Sequence, residues 1–420
     1  MAGYPGTIAA TWQRAGRAGR RSGSSCAVLV ASSAPLDQFI VRNPDYFFGN
    51  TPEHGFIQPD NLEILINHLK CAAFELPIGP EERFGDVDVP DLCARLAEAG
   101  FLHRAGENYY WTQEAYPADT VSLRSVTSDN FVIIDITGAP TVIGEVDFSS
   151  ALTTVHEKAI YIHGGQQYHV EHLDFKERKA YVKRVDVDYY TDAIRYTQVR
   201  ILECAAETRA SDSLPEIPAL RSFGDVLVRS QVIGFKKLKF FTNENIGAGN
   251  LELPENEMHT TAYWVTLERP LLESLPFTIS ERQSGMFGLL HALASVATLL
   301  LMCDRRDLGT AIGEKPPSPN DQEVAVEAVQ LRDRISQNAK EFFEPNLYLF
   351  DAYPGGIGFS EPLYHAHDIL VQRTRRLIVA CECEAGCPSC VGPAGDLAPR
   401  AKEAALAILN RLCNSNDEAQ

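Results

Sequence analysis

The chain has 420 residues, enough for several separate cores, with 45% hydrophobic and 22% charged residues, ordinary proportions for a folded globular protein. Its 56 acidic against 38 basic side chains give a formal net charge of −18, which excludes a diffuse, whole-surface attraction for nucleic acid. DNA would have to be met by local basic patches at residues 14–21, 236–239 and 373–376, each equally readable as a solvated face.

Near the start, Gly3-Tyr4-Pro5-Gly6-Thr7 is followed by Trp12-Gln13-Arg14-Ala15-Gly16-Arg17-Ala18-Gly19-Arg20. Arg17 and Arg20, three apart, would project the same way from one helical turn. Gly16 and Gly19 clear the adjoining surface for a phosphate or another backbone. A fixed guanidinium fork of this kind neutralises charge on a transferring γ-phosphoryl group; the plainer reading is a basic surface turn. The run resembles the last signature motif of superfamily 2 helicases, Q-x-x-G-R-x-G-R, at every fixed position. That resemblance implies that Gln13, Gly16, Arg17 and Arg20 bind ATP between two RecA-like lobes, with Arg17 and Arg20 catalytic at the γ-phosphate. No G-x-x-x-x-G-K-[ST] phosphate loop and no Asp-Glu-x-His or Asp-Glu-x-Asp run occurs in the sequence. Residues 309–315 (GTAIGEK) come nearest, with Pro316 where a hydroxyl residue belongs.

Residues 25–32 (SCAVLVAS) read as a buried strand and 35–41 as a brief helix stopped by Asn43-Pro44. Residues 1–50 are therefore expected to be the remnant of a RecA-like lobe. Over residues 51–118 the pattern becomes small helices followed by a hairpin. Leu62, Leu65, Ile66 and Leu69 share a helical face; Asp91 can cap a second helix that Gly100 ends; two short aromatic strands flank a turn at 104–108. This is the layout of a winged helix, a module that touches DNA or docks proteins. Its acidic residues Asp86, Asp88, Asp91 and Glu98 favour docking or duplex separation over sequence reading. Residues 119–206 alternate apolar and polar positions in short segments, predicting a small antiparallel barrel-like domain. Tyr189, Tyr190 and Tyr196 there could stack bases or simply pack.

Residues 207–413 mix strands (226–232, 262–267) with long helices, and are expected to form an α+β zinc-binding domain. Residues 286–302 form an apolar run broken by His291, Ser295 and Thr298, which reads as a buried helix rather than a membrane span. His291 reads as a buried, hydrogen-bonded histidine ahead of a charged cap; His163, His169 and His172 lack ligand spacing. Residues 310–322 carry three prolines and read as a surface loop. Residues 347–353 read as a strand leading into Pro354-Gly355-Gly356-Ile357-Gly358, with Ser360 placed to cap a long helix. Strand, glycine loop and helix start resemble an anion cradle, but no lysine follows; close packing and a DNA phosphate are the alternatives. The last seven residues are expected to fray.

Cys381-Glu382-Cys383-Glu384-Ala385-Gly386-Cys387-Pro388-Ser389-Cys390 holds four of the ten cysteines in the spacing C-x-C-x3-C-x2-C. Thiolates are the preferred zinc ligands, and four of them close a structural site. Iron–sulfur ligation is the competing chemistry, and the compact spacing favours zinc. The remaining cysteines are scattered, which suits a reducing compartment, and no basic-then-apolar leader is visible. A cytoplasmic location without membrane partners is expected.

In sum the sequence predicts a multi-domain α/β chain. The helicase motif, winged helix, β domain, glycine loop and GCPSCVGP ending (residues 386–393) together resemble the C-terminal half of MrfA/YprA-type DEAD/DEAH-box helicases, relatives of the Hrq group. The resemblance implies ATP-dependent 3′-to-5′ unwinding in DNA repair, on single-stranded or forked DNA, with structural Zn2+ on Cys381, Cys383, Cys387 and Cys390. It also implies that ATP and Mg2+ are held only with an N-terminal helicase lobe, so these 420 residues alone are expected to be inactive as an ATPase. The alternative is a free-standing, zinc-stabilised module that binds DNA or protein and catalyses nothing.

Overall fold

The structure, a computed structural model, describes residues 1–20, 23–53, 60–121, 130–209, 219–314, 344–392 and 398–413. It is mixed α/β, and the chain divides into two compact units. Unit 1 takes residues 1–57, 199–227 and 259–420; unit 2 takes 58–198 and 228–258. Sequence alone predicts four consecutive domains, whereas both units interleave distant segments.

Unit 1 opens with α1 (Ile8–Ala15), α2 (Pro35–Arg42) and α3 (Pro44–Gly49). Thr7 caps α1 by accepting from the Ala10 N–H, and the Glu53 carboxylate accepts from the N–H groups of Ile8 and Ala9, an anion at a helix start. Residues 25–32 are not the buried strand expected. Val28 and Val30 are 62% and 64% exposed, and their only ladder-like partner among the described residues is the stretch around Ala2. An apolar run becomes a buried strand only where neighbours cover both faces.

Unit 2 begins with α4 (Leu62–Glu75), capped by Asn61, and α5 (Val89–Glu98). Asp88, not Asp91, caps α5: its extended backbone and the following Pro90 start the helix earlier, and its carboxylate accepts from the Asp91 N–H. Strands β1 (Leu102–Ala105) and β2 (Asn108–Trp111) form the wing, and Leu65, Leu69, Cys93, Leu96 and Tyr109 make the core beneath it. The following sheet contains β3 (Asn130–Asp135), β4 (Thr141–Asp147), β5 (Ile160–His163), β6 (Gln166–Asp174) and β7 (Lys179–Val185), with α6 (Phe148–Thr154) between β4 and β5. Its order is β4-β3-β7-β6-β5, an open sheet rather than the antiparallel barrel predicted, because β3 and β7 pair in parallel across a long crossover. Phe131, Ile133, Leu152, Val155, Val170 and Val182 fill its core.

The unit boundaries fall within β8 (Tyr189–Arg209), β9 (Ala219–Lys239) and β11 (Asn256–Leu267), with β10 (Asn245–Asn250) pairing antiparallel with the end of β9. Returning to unit 1, α7 (Arg269–Glu273) precedes α8 (Ile279–Leu301), which starts with a reciprocal Thr278–Glu281 capping box. By length and composition α8 could cross a bilayer, but 78% of its most apolar window is buried, as for a core helix. Strands β12 (Leu308–Glu314) and β13 (Pro345–Asp351) follow, β13 lying between β11 and β12 and buried along its whole length. Residues 310–314 thus belong to a strand, not to the predicted loop; the remainder of that loop lies outside the described residues, as do the last seven residues. The long helix expected next is two, α9 (Ser360–His365) and α10 (His367–Val379), broken at Ala366, before α11 (Ala401–Leu412). Gly285 and Gly288 of α8 let Ala404 and Val391 approach so closely that an added Cβ would lie 2.6 Å and 2.7 Å from them. That contact seats the cysteine segment and α11 directly on the core helix.

Candidate metal centre and nucleotide motif

α10 ends at Val379, and the chain turns at once through the four cysteines. Sγ–Sγ separations are 3.5 Å for Cys381–Cys383 and Cys381–Cys387, 3.4 Å for Cys383–Cys390 and 3.8 Å for Cys387–Cys390, and all four sulfurs lie within 4.8 Å of one another. A tetrahedron with Zn–S bonds of about 2.3 Å has edges of roughly 3.8 Å, so the donor set fits one zinc ion. An iron–sulfur cluster distributes four thiolates over two or more irons and spreads the set wider.

The backbone of this turn is shaped for sulfur. The Cys387 N–H points at Cys390 Sγ (3.3 Å), and Cys387 O accepts from the N–H groups of Cys390 and Gly392. Gly386 sits at φ +120°, where any Cβ would strike Val391. Burial pushes the Cys390 and Cys381 thiols up. Burial acts the same way on Cys387, but hydrogen bonds to its sulfur from Cys381 and the Ser389 N–H, then from Cys383 and Cys390, bring it down to about 7. His291 on α8 faces the Pro388 carbonyl with Nε2 at 3.3 Å, so it positions the cysteine turn; it is hydrogen-bonded as expected, but half-buried rather than buried.

Two residues, one at this corner and one in the glycine loop, escaped sequence reasoning. Lys402, 9% exposed, sends Nζ to the carbonyl oxygens of Cys381 and Cys383, at 2.6 Å each. A lysine on the apolar stripe formed by Ala401, Ala405, Ile408 and Leu409 was the available signal. Asp351, fully buried at the end of β13, is the second. Its Oδ2 accepts from the N–H groups of Ile357 (2.7 Å), Gly358 (2.9 Å) and Phe359 (3.3 Å), while Oδ1 accepts from Ser360 Oγ. The glycine loop is therefore a cradle filled by the protein's own carboxylate, which removes the DNA-phosphate alternative. Burial raises the Asp351 pKa, and the three N–H donors oppose that rise. Gly356, at φ +73°, brings the loop against Thr261, where a Cβ would lie 2.7 Å from Oγ1. Ser360 does not cap α9; Phe359 holds the N-cap position without a side-chain bond, and Asp351 supplies the acceptor.

The N-terminal motif departs from its expected local form. α1 stops at Ala15, the Arg17 and Ala18 N–H groups make tight turns back to Arg14 O and Ala15 O, and Gly19 adopts φ +67° against Ser25. Arg17 and Arg20 thus leave a turn beyond the helix end, not one helical face. Gln13, Arg17 and Arg20 are exposed, and neither arginine forms an ion pair among the described residues. The segment before α1 is packed: Tyr4 N–H and Ser32 N–H both reach Asp37, and Gly6, at φ +101°, lies where a Cβ would come within 2.8 Å of Asp304. A cleft of 430 Å³ there is lined by Tyr4, Arg14, Asp37, His291, Arg305 and Arg306 among others.

Of the other expected patches, Arg375 Nε is engaged with Asn410 (2.6 Å), and His169 and His172 are engaged with Glu171 and Glu157 rather than grouped as ligands.

Comparison with known proteins adds to these observations. Residues 289–391 match the family MZB, the MrfA Zn-binding domain, and residues 57–126 match the winged helix domain of ATP-dependent helicase HRQ1. The chain is 40% identical over 416 residues to the Bacillus subtilis (strain 168) protein called uncharacterized ATP-dependent helicase YprA, covering 98% of this chain and 51% of that one. With ATP-dependent helicase HRQ1 of Saccharomyces cerevisiae it shares 28% identity over 405 residues, 93% of this chain and 35% of the relative. The solved structure of the DUF1998 helicase MrfA bound to DNA is 39% identical, with a TM-score of 0.58, over 98% of this chain and 51% of that chain. A second solved structure of the DUF1998 helicase MrfA is 35% identical, with a TM-score of 0.59, over 96% of this chain and 52% of that chain. The chain spans about half the length of YprA and about a third of HRQ1.

Proposed function

Because the chain belongs with the MrfA/YprA-type helicases, whose C-terminal region it matches, we propose that it serves as that region of an ATP-dependent, 3′-to-5′ DNA repair helicase. The observation that carries this is the 40% identity along 98% of the chain, ending on four cysteines that converge as a zinc site needs. In this reading Arg17 and Arg20 are the catalytic guanidiniums at the γ-phosphate, and Gln13 and Gly16 complete the nucleotide contact. Their exposure supports it, since a guanidinium already paired within the chain could not neutralise an incoming phosphoryl group. Cys381, Cys383, Cys387 and Cys390 hold Zn2+, which supplies a rigid corner and no chemistry.

ATP and Mg2+ are gripped by a phosphate loop and acidic motif on a separate N-terminal lobe, since neither motif occurs among these 420 residues. Residues 1–50 are the end of the second RecA-like lobe, and the winged helix handles single-stranded or forked DNA. The protein acts in the cytoplasm.

The test is phosphate release and DNA binding by the 420-residue chain with single-stranded and forked oligonucleotides. The proposal expects DNA binding without ATP turnover. Turnover by the chain alone refutes the division of labour, and absence of DNA binding leaves the free-standing protein-docking module.

A further inference from the structure

The end of β9 carries Lys236, Lys237 and Lys239, and the turn into β10 carries Phe240, Phe241, Thr242 and Asn243. Phe241 is 103% exposed, more than any other large hydrophobic side chain among the described residues. It also adopts φ +68°, in the left-handed region that non-glycine residues rarely occupy. Glycine or asparagine suits such a position, and Asn243, at φ +56°, follows that rule two residues later. A phenylalanine here gains no burial and bears backbone strain, so fold stability does not explain it.

The base of the turn is tightly built. Phe240 N–H donates to Asp188 O (3.0 Å), Thr242 N–H to Phe240 O (2.8 Å) and Asn243 N–H to Lys239 O (3.0 Å). Tyr190 OH donates to Asn243 Oδ1 at 2.9 Å, and its ring packs on Phe240 at 5.6 Å. Tyr189 lies under Lys237 Nζ at 5.0 Å. Thus Tyr189 and Tyr190, considered from sequence as base-stacking residues, instead form the support, and the ring free to stack is Phe241.

The surrounding charge favours one class of ligand. Three lysines lie within four positions of β9, against Glu244, which pairs with Lys239 at 3.3 Å, and the exposed Asp188. On the paired strand β10, Gly247, Ala248 and Gly249 lie across from Lys237, Lys236 and Phe235, leaving the lysine stems uncrowded. A flat apolar ring on a stiff turn beside cations, in a chain of net charge −18, matches a base with its phosphate better than an apolar protein surface.

We propose that Phe241 is a nucleic-acid contact, on which one unpaired base stacks while Lys237 and Lys239, two apart on one face of β9, hold the adjoining phosphates. This rests on the reading of the chain as part of a DNA helicase and assigns the residue that distinguishes unpaired from paired DNA. A base inside an intact duplex is stacked on both faces and offers nothing to the ring.

The experiment measures fluorescence anisotropy of labelled oligo(dT) and of a blunt duplex with the zinc-loaded 420-residue chain over a salt series. Phe241→Ala is expected to weaken oligo(dT) binding about 5- to 100-fold, the range for one lost base stack, with duplex binding and the salt slope unchanged. Phe241→Trp should retain binding, and the double change Lys237→Gln with Lys239→Gln should flatten the salt slope. Phe241→Gly should lose oligo(dT) affinity while melting no lower than the native chain, which separates binding from folding. If the native chain binds oligo(dT) and Phe241→Ala binds it equally, the ring contacts something other than DNA and the proposal fails alone. Equal losses on oligo(dT) and duplex also overturn it. If the native chain binds neither DNA, the helicase reading falls with it.

Discussion

The Nζ of Lys402 lies 2.6 Å from the carbonyl oxygen of Cys383 and the same distance from that of Cys381. A buried ammonium thus fixes the peptides of two cysteines whose sulfurs would be thiolates around a metal, and brings positive charge to that turn. Lys402→Met keeps the stem but removes both bonds. It should weaken zinc retention about 10- to 100-fold, the usual effect of losing a residue that orients ligands. Competition with a chromophoric chelator measures this; unchanged retention would show that Lys402 serves packing alone.

The metal itself should act as a structural staple. The native chain should carry one zinc per chain and no iron by elemental analysis, and a strong chelator should lower its melting temperature. Cys390→Ala, at a fully buried ligand position, should reproduce that loss, whereas Cys204→Ala, at an exposed cysteine, should not. Iron in stoichiometric amount would overturn the zinc assignment.

Asp351→Ala should lower unfolding free energy by about 2–4 kcal/mol, because it strands buried N–H donors of the glycine loop. Asp351→Asn, which keeps an acceptor oxygen, should cost less. Urea unfolding followed by circular dichroism reads both. A negligible effect for Asp351→Ala would mean that water replaces the carboxylate.

His156 gives unit 2 a defined pH response. Its ring is fully buried, packs on Phe235 at 5.2 Å and has Nδ1 2.8 Å from Glu157 O; burial holds its pKa below the ordinary 6.5. The unfolded chain therefore takes up this proton first as pH falls. The stability contribution is complete above pH 6.5 and is lost as pH falls from there through the folded-state value. Melting temperatures between pH 7.5 and 5 should fall less steeply in His156→Phe than in the native chain; equal slopes would assign the loss to other groups.

These sites differ in how far sequence exposed them. The four cysteines were legible because ten consecutive residues contain the whole donor set, so local spacing fixes the chemistry. The winged helix was legible because its periodicity and turns are local, although the cap moved from Asp91 to Asp88. The open sheet was not, because the parallel β3–β7 pairing joins segments separated by a long crossover. Asp351 was not legible either, since nothing local says that a strand-end carboxylate turns into the loop six residues later. Arg17 and Arg20 were singled out by residue pattern while their local shape was mistaken, because the helix ends at Ala15 in tight turns that lead to Gly19 at φ +67°.

The central claim is that Arg17 and Arg20 complete an ATP site whose phosphate-gripping residues lie outside these 420 residues. The most direct test compares DNA-stimulated phosphate release by this chain alone with release by the same chain fused behind the N-terminal half of YprA. No release is expected from the chain alone, and the fusion should release phosphate at a rate reduced about 10³-fold or more by Arg17→Ala or Arg20→Ala. Release by the chain alone, or a fusion indifferent to both substitutions, would contradict the claim.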